Sequence, residues 1–349
     1  MNVLISGAGV AGTTLAEFLT RSGHRVTIAE RAPALRHTGY AVDFRGAAFD
    51  VLSELGILDA VREHDTKMTG TAIVDRDGVQ TAELPAEAFA GELEVPKRVL
   101  NELLYALTAD HVEYRFDTSI TSLAQTEDAV TAHLTDGSAE TYDLVFGADG
   151  VYSKVRQLAF APHSEALHHL GLSGAGFTMP NFLGLDHSGL LRTVNDTAAY
   201  LFNSADPDRL TVSLSFGTPT GDLDRLPRAA QEAATRTAFA GDTWHIPRLL
   251  EAMSAASDFY FSSSAQVQVD QWSTGRIALL GDAGYCAAPA AGMGTSQALL
   301  GARSLARHLS VAEYPDAFAK YEAELRPYVT ENQANGRAAA EMFGGAREE

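Results

Sequence analysis

The chain has 349 residues, with 26 Lys plus Arg against 45 Asp plus Glu and a formal net charge of −19. At about 150 residues per domain this length suggests roughly two domains, and 46% hydrophobic residues with 20% charged supply enough apolar surface for a sizeable core. The acidity argues against nucleic-acid and anionic-membrane partners, and the single cysteine, Cys286, excludes an internal disulfide framework and any multi-cysteine metal centre.

The first residues, Met1-Asn2-Val3-Leu4-Ile5-Ser6-Gly7, enter a strand at once and leave no room for a signal core. No apolar run approaches the roughly 18 residues of a membrane span. A soluble protein of a reducing, cytoplasmic compartment is expected.

Val3–Ser6 is a short apolar run closed by Gly7, as expected of a buried parallel strand. Gly7-Ala8-Gly9-Val10-Ala11-Gly12 follows, then a helical stripe through Leu15, Ala16, Phe18 and Leu19 that stops at Ser22-Gly23. A second strand, Arg25–Ala29, ends in Glu30, which stands 23 positions after Gly7. Strand, G-x-G-x-x-G, helix, strand and acid in this order predict a dinucleotide site. Gly7 permits the tight turn, Gly9 admits a pyrophosphate against the backbone, and Gly12 lets helix and strand pack closely. The helix N-terminus offers free N–H groups to the phosphates, and Glu30 can accept from a ribose hydroxyl. A carboxylate there disfavours a 2′-phosphate, which leaves NAD and FAD for this pocket.

Two more strands end in glycine further along. Thr141–Gly147 runs into Ala148-Asp149-Gly150, with Ser153, Lys154 and Arg156 on a helix start. Gly275–Leu280 runs into Gly281-Asp282-Ala283-Gly284, then Pro289-Ala290-Ala291-Gly292-Met293-Gly294 and a helix through Leu299, Leu300 and Leu305. Asp282 stands where a strand's carboxyl end meets a loop, the usual ligand crevice of an α/β sheet. Between Phe160 and Phe261 the pattern changes to the alternation of antiparallel strands, at Ala198–Phe202 and Leu210–Phe216, and Thr71–Glu94 is expected to join that sheet. Phe177, Met179, Phe182, Tyr200, Phe202 and Phe216 are candidate lining residues of a substrate pocket, each otherwise simple core. His163, His168 and His169 have no companions that complete a metal site and read as surface or loop residues; no metal is expected.

The three motifs GAGVAG, FGADGVYSKVR and GRIALLGDAGYCAAPAAGMG, in this order and spacing, resemble those of the flavin-dependent aromatic hydroxylases, the family of para-hydroxybenzoate hydroxylase, and within it the tetracycline-inactivating monooxygenases. The resemblance runs from Val3 to about Gln333. It implies an α/β fold: a Rossmann-like FAD-binding domain with a parallel sheet (residues 1–70, 97–165 and 262–349) and a substrate domain on an antiparallel sheet (71–96 and 166–261). It implies that Gly7, Gly9 and Gly12 hold the FAD pyrophosphate, that Glu30 holds the adenosine ribose, that Val10, Ala11 and Arg31 also belong to the cofactor-binding residues, and that Arg45 lies near the flavin. Arg98 would reach the ribityl or phosphate region, Asp149 would support FAD and nicotinamide, Asp282 would bond the ribityl chain, and Pro289, Gly292, Met293 and Gly294 would line the ring.

The implied reaction is hydroxylation of an aromatic or polyketide-like small molecule: NADPH or NADH reduces FAD, molecular oxygen adds as a flavin hydroperoxide, and an electron-rich carbon takes the distal oxygen. No side chain is singled out as acid or base. A flavin-dependent reductase or halogenase and a non-catalytic flavin- or ligand-binding protein remain alternatives, and the oligomeric state is left open. Trp244-His245-Ile246-Pro247 resembles part of a halogenase signature, but Asp242 stands where its other tryptophan belongs, so a structural turn is expected. The chain departs from the hydroxylase pattern at Gly284-Tyr285-Cys286 and at Leu300-Gly301-Ala302, where an acidic residue is common. It also stops soon after Tyr328, where relatives often have a further helix.

Overall fold

The computed structural model describes residues 1–35, 41–204 and 206–343; the other positions of the expected domains, 36–40, 205 and 344–349, lie outside the described residues. Its first sheet has six strands in the order Ser273–Thr274, Ile277–Leu279, Leu144–Gly147, Asn2–Ser6, Arg25–Ala29, Glu113–Arg115. All pair in parallel except the two-residue edge strand Ser273–Thr274. The central strands are almost wholly apolar because both faces are covered. Helices Val10–Arg21 and Gly294–Leu309 pack against each other, and the long helix Tyr314–Met342 packs on the latter. Helix Val10–Arg21 ends as the sequence predicts: Gly23 at φ +80° donates to Thr20 O while His24 donates to Leu19 O.

Leu144–Gly147 and Ile277–Leu279, far from the N-terminus in sequence, lie side by side with Asn2–Ser6 in parallel register. Their carboxyl ends therefore share one edge of the sheet, and Gly7, Asp149 and Asp282 emerge there together.

The second large sheet has seven strands in the order Tyr260–Val267, Leu167–Pro180, Arg209–Gly217, Thr197–Phe202, Ser188–Val194, Gly70–Val74, Gln80–Pro85. It is antiparallel except where Ser188–Val194 meets Gly70–Val74. The expected early contribution to this sheet ends at Pro85; Leu93–Pro96 pairs instead with Ala41–Phe44, as a separate two-stranded ribbon.

Period-2 alternation gives the seven-stranded sheet two unlike faces. Ala175, Phe177, Met179, Leu210, Val212, Leu214 and Phe216 turn to a core closed by helices Arg228–Ala238 and Ile246–Ala255, and Phe182 packs against it. Ser262, Gly174, Ser215 and Ala198 follow one another across four strands on the opposite face. Of the expected lining residues, Tyr200 and Phe202 face the cavity on that side, whereas Phe177, Met179, Phe182 and Phe216 belong to the helix-covered core. Trp244 is also packed on the core side, and Pro247 opens helix Ile246–Ala255, so the halogenase-like fragment is a turn remote from the cavity face. His168 and His169 lie on strand Leu167–Pro180 rather than in a loop, and His163 opens a short helix. Among the described residues no helix is long and apolar enough to cross a membrane.

Candidate cofactor and substrate site

The glycine-rich turn is shaped by three different steric demands. Gly7 holds φ +106°, and a Cβ there would stand 2.5 Å from Ala148 O. A Cβ on Gly12 would collide with the Gly7 carbonyl and come within 3.2 Å of Ile5. A Cβ on Gly9 would meet nothing within 4 Å among the described residues. Gly7 and Gly12 are thus required by the protein's own packing, whereas the space above Gly9 is left open. Among the described residues no side chain caps the helix that begins at Val10 and Ala11, and its first turn carries no acid, so its N–H groups are available to an anion. Glu30 accepts from Ala8 N and Ala32 N, each at 2.9 Å, and so fastens the second strand's end to the turn. Arg31 beside it is exposed.

Asp149 is bound into the fold more than its expected ligand role implies. It accepts from Ser6 Oγ at 3.3 Å, Ser153 Oγ at 2.5 Å, Lys154 N at 2.8 Å and Val155 N at 3.2 Å. It thereby caps helix Lys154–Ala159 and ties it to the first strand. Arg156, in the first turn of helix Lys154–Ala159, is fully buried and unites two motifs: it donates to Val151 O at 2.6 Å and Ala283 O at 2.8 Å, with His163 Nδ1 at 3.2 Å. Burial lowers its pKa from the usual guanidinium value. Arg156→Lys keeps charge but loses the planar fork. It is expected to cost about 1.5–3 kcal/mol, the range for hydrogen bonds from charged groups, and to lower FAD content after gel filtration. An unchanged melting temperature and flavin content would refute this bridging role.

Asp282 opens the short helix Asp282–Tyr285, and its Oδ1 lies 3.6 Å from where a Cβ of Gly294 would stand. The carboxylate therefore faces the backbone of the last motif. Gly292 takes φ +66°, and a Cβ there would lie 3.4 Å from both carboxylate oxygens of Asp43. Asp43 in turn accepts from Arg45 Nε at 2.9 Å. Arg45 is thus brought beside the Pro289–Gly294 segment through Asp43. Met293 precedes helix Gly294–Leu309, whose first turn also has neither acid nor, among the described residues, a side-chain cap. Gly281 lies between the two helices, a Cβ there being 3.0 Å from Ala11 Cβ and 3.8 Å from Ala298 Cβ. Among the described residues Arg98 is not joined to these loops: it is half-exposed and pairs with Glu102 Oε1 at 3.0 Å, one turn along its own helix.

The two departures from the family pattern are one feature. The buried Tyr285 hydroxyl accepts from Tyr321 OH at 2.9 Å and occupies the place a Cβ on Gly301 would need. Tyr285 also packs on Trp272, centroids 4.4 Å apart. A side chain at position 301, acidic or otherwise, has no room while tyrosine stands at 285. The Cys286 thiol is buried, and burial pushes its pKa well above the usual value, so it is no ready nucleophile.

A cavity of about 260 Å³ separates this segment from the seven-stranded sheet. Pro289 and Ala290 form part of one wall; Ser213, Ser215, Ser262 and Ser264 line it from the sheet. Phe89, Tyr200 and Phe202 make an aromatic ladder with successive centroids 5.0 Å apart, and Phe343 reaches Phe89 at 6.2 Å. Ser264 Oγ is buried without a hydrogen-bond partner among the described residues. Glu94 also lines the cavity, a residue the sequence reading did not single out. It lies directly across from Asp43 in the two-stranded ribbon and accepts from Thr66 Oγ1 at 2.7 Å. Burial, with the charges of Asp43 and Asp65 adding, raises its pKa to about 7 against the opposing Thr66 hydrogen bond. The protonated form stabilises the fold below the ordinary value of 4.5, and that contribution is lost as pH rises through about 7.

The sequence pattern of the family described as "FAD binding domain" matches residues 1–335. The chain belongs to the FAD-dependent monooxygenases. A flavin-dependent monooxygenase of Legionella longbeachae serogroup 1 (strain NSW150) is 36% identical over 349 residues, covering 98% of this chain and 90% of the relative. An uncharacterized protein of Mycobacterium tuberculosis (strain ATCC 25618 / H37Rv) is 41% identical over 339 residues, with 95% and 91% covered. The crystal structure of tetracycline destructase Tet(55) superposes with a TM-score of 0.89 at 34% identity, over 99% of this chain and 91% of that one. FAD is the family's cofactor, and the open space over Gly9 beside an uncapped helix fits its pyrophosphate.

Proposed function

We propose that this monooxygenase hydroxylates an aromatic or polyketide-like small molecule at the expense of NADH or NADPH. The observation that carries the reading is the cavity: aromatic on one side, serine-lined on the other, and walled by Pro289 and Ala290 of the proposed flavin-binding segment. Stacking rings and several fixed hydroxyls suit a flat molecule bearing oxygen substituents. When bound, FAD supplies the activation of molecular oxygen. The chain's own residues hold and orient. The N–H groups from Gly9 to Gly12 receive the pyrophosphate, Glu30 and Arg31 the adenosine end, and Asp282 with the backbone of Gly292, Met293 and Gly294 the flavin end. Arg45 sits beside that end through Asp43; Arg98 and Asp149 support from farther out. In this reading 1–70, 97–165 and 262–349 serve FAD, and 71–96 and 166–261 serve the substrate.

The test is a screen of phenolic and polycyclic compounds, tetracycline first because of the likeness to Tet(55), for stimulated NAD(P)H oxidation by the FAD-loaded protein. The expected product is heavier by one oxygen atom, derived from molecular oxygen. Loss or gain of hydrogen without oxygen, or halogen incorporation, would replace hydroxylation with a different flavin chemistry. Bound FAD that NAD(P)H never reduces, with or without any compound, would mark a ligand-binding protein.

A further inference from the structure

The cavity contains two titratable side chains among its described lining residues, Glu94 and Tyr200, and they differ in what they can do. The Tyr200 hydroxyl lies 3.3 Å from Thr71 Oγ1, and burial raises its pKa to about 12, so it keeps its proton at neutral pH. Glu94 has one side-chain hydrogen bond among the described residues, from Thr66 Oγ1. Arg45 is committed to Asp43. Among the described residues, the groups that face Glu94 are Asp43 across the ribbon with Arg45 upon it, Asp65 and Thr66 from the preceding loop, and Tyr200 from the sheet. The Thr66 carbonyl is held by His187 Nδ1 at 2.6 Å, and Thr66 N donates to Glu94 O at 2.8 Å, which fixes the loop and strand together. A positioned carboxyl with no ion-pair partner among the described residues, at the wall of an aromatic cavity, is suited to exchange a proton with a bound ligand.

We propose that Glu94 is the acid–base group of the cavity and takes the proton of an acidic hydroxyl, a phenol or an enol, on the substrate. This rests on the hydroxylase reading above. The substrate O–H bond breaks and a carboxylic O–H bond forms on Glu94; the electron pair stays on the substrate oxygen and delocalises into the ring, which makes the ring carbon the better nucleophile. After product leaves, Glu94 returns the proton to solvent. A pKa of about 7 gives Glu94 both forms near neutrality, the condition under which one group can accept a proton and release it again.

The experiment titrates the FAD-loaded protein with 4-nitrophenol, whose phenol ionises near neutrality and whose phenolate is coloured, across a pH series. Wild type shares one proton between ligand and Glu94, so its affinity peaks near neutral pH and falls by up to about tenfold per pH unit once both groups are ionised. Glu94→Gln keeps an acceptor for Thr66 and should retain FAD and melting temperature but lose the maximum. Glu94→Asp should restore a weaker one. Superimposable pH profiles in wild type and Glu94→Gln, or no saturable binding of 4-nitrophenol, overturn the proposal. The binding profile needs no turnover, so a fruitless search for hydroxylated product would sink the hydroxylase reading and leave this result standing by itself.

Discussion

Replacing Gly12 with alanine is expected to give a protein that melts well below wild type and holds no FAD, whereas Gly9→Ala gives one that folds normally and has lost FAD. The two glycines are three residues apart in one motif, yet their surroundings differ. At Gly12 the new methyl group meets the Gly7 carbonyl, a backbone atom in a turn that Ala148 already confines. Overpacking of this kind typically costs about 1–3 kcal/mol and more where backbone must shift. The shift would also move the N–H groups that receive the pyrophosphate, so folding and cofactor binding fail together. Gly9 has φ −82° and ψ −178°, which alanine adopts freely, and open space around its Cβ. Alanine restricts the unfolded chain, a gain of about 0.4–1 kcal/mol, but is a poorer helix N-cap than glycine; these oppose and leave apoprotein stability within about 1 kcal/mol of wild type. Only the ligand is obstructed, and at least a tenfold loss of FAD affinity, about 1.4 kcal/mol, is expected. Thermal melts of apoprotein and flavin titrations separate the two outcomes. Full FAD affinity in Gly9→Ala would show that the pyrophosphate does not lie over that residue.

The parts of this site that were legible in the sequence are those in which backbone geometry dictates residue type. The motif's spacing gives Gly7, Gly9 and Gly12 three different tasks, and in the structure a side chain would clash at Gly7 and at Gly12 but not at Gly9. The strands Leu144–Gly147 and Ile277–Leu279 were legible because apolar runs closing on glycine mark buried parallel strands; that they lie beside the first is seen in the structure. What stayed hidden depends on pairings distant in sequence. Glu94 reads as one acid among many in an acidic chain. Its character arises only when Leu93–Pro96 lies against Ala41–Phe44 and places Asp43 opposite it. Of the candidate lining residues, Phe177, Met179, Phe182 and Phe216 fall on the helix-covered side for a different reason, while Tyr200 and Phe202 do line the cavity. Alternation in Leu210–Phe216 shows that the strand has two faces but not which of them meets a ligand. Large side chains were favoured, yet in this sheet the large ones cement the helices, and the serines with Tyr200 and Phe202 face the cavity. Arg156 was visible only as part of a helix start, because its task is to reach a carbonyl in a motif far along the chain.

Asp242→Ala should remove about 3–5 kcal/mol of stability, the usual cost of stripping one partner from a buried ion pair, against a total of about 5–15 kcal/mol for a typical folded domain. Arg192 lies in the strand Ser188–Val194 with its side chain 1% exposed, and it meets Asp242 with two bonds, Nη2–Oδ1 at 2.6 Å and Nη1–Oδ2 at 3.0 Å. Its Nε reaches Arg76 O at 3.3 Å, and its guanidinium carbon stands 5.7 Å from the Trp244 ring centroid. Alanine at 242 would leave this guanidinium buried with no carboxylate. Arg192 in turn holds the Asp242 carboxyl below its usual pKa, through the hydrogen bond first and charge second. The pair's contribution is therefore complete above the ordinary carboxylate value and is lost as pH falls through the lowered one. Replacing both residues, Arg192→Met with Asp242→Leu, removes both charges and is expected to be markedly less damaging than the sum of the single changes. Urea melts of the two single variants and the double variant at neutral pH measure this coupling, and strict additivity would disprove it. FAD content should be unchanged in every variant that folds, because the pair braces Trp244 on the helix-covered side of the sheet, away from the glycine turns.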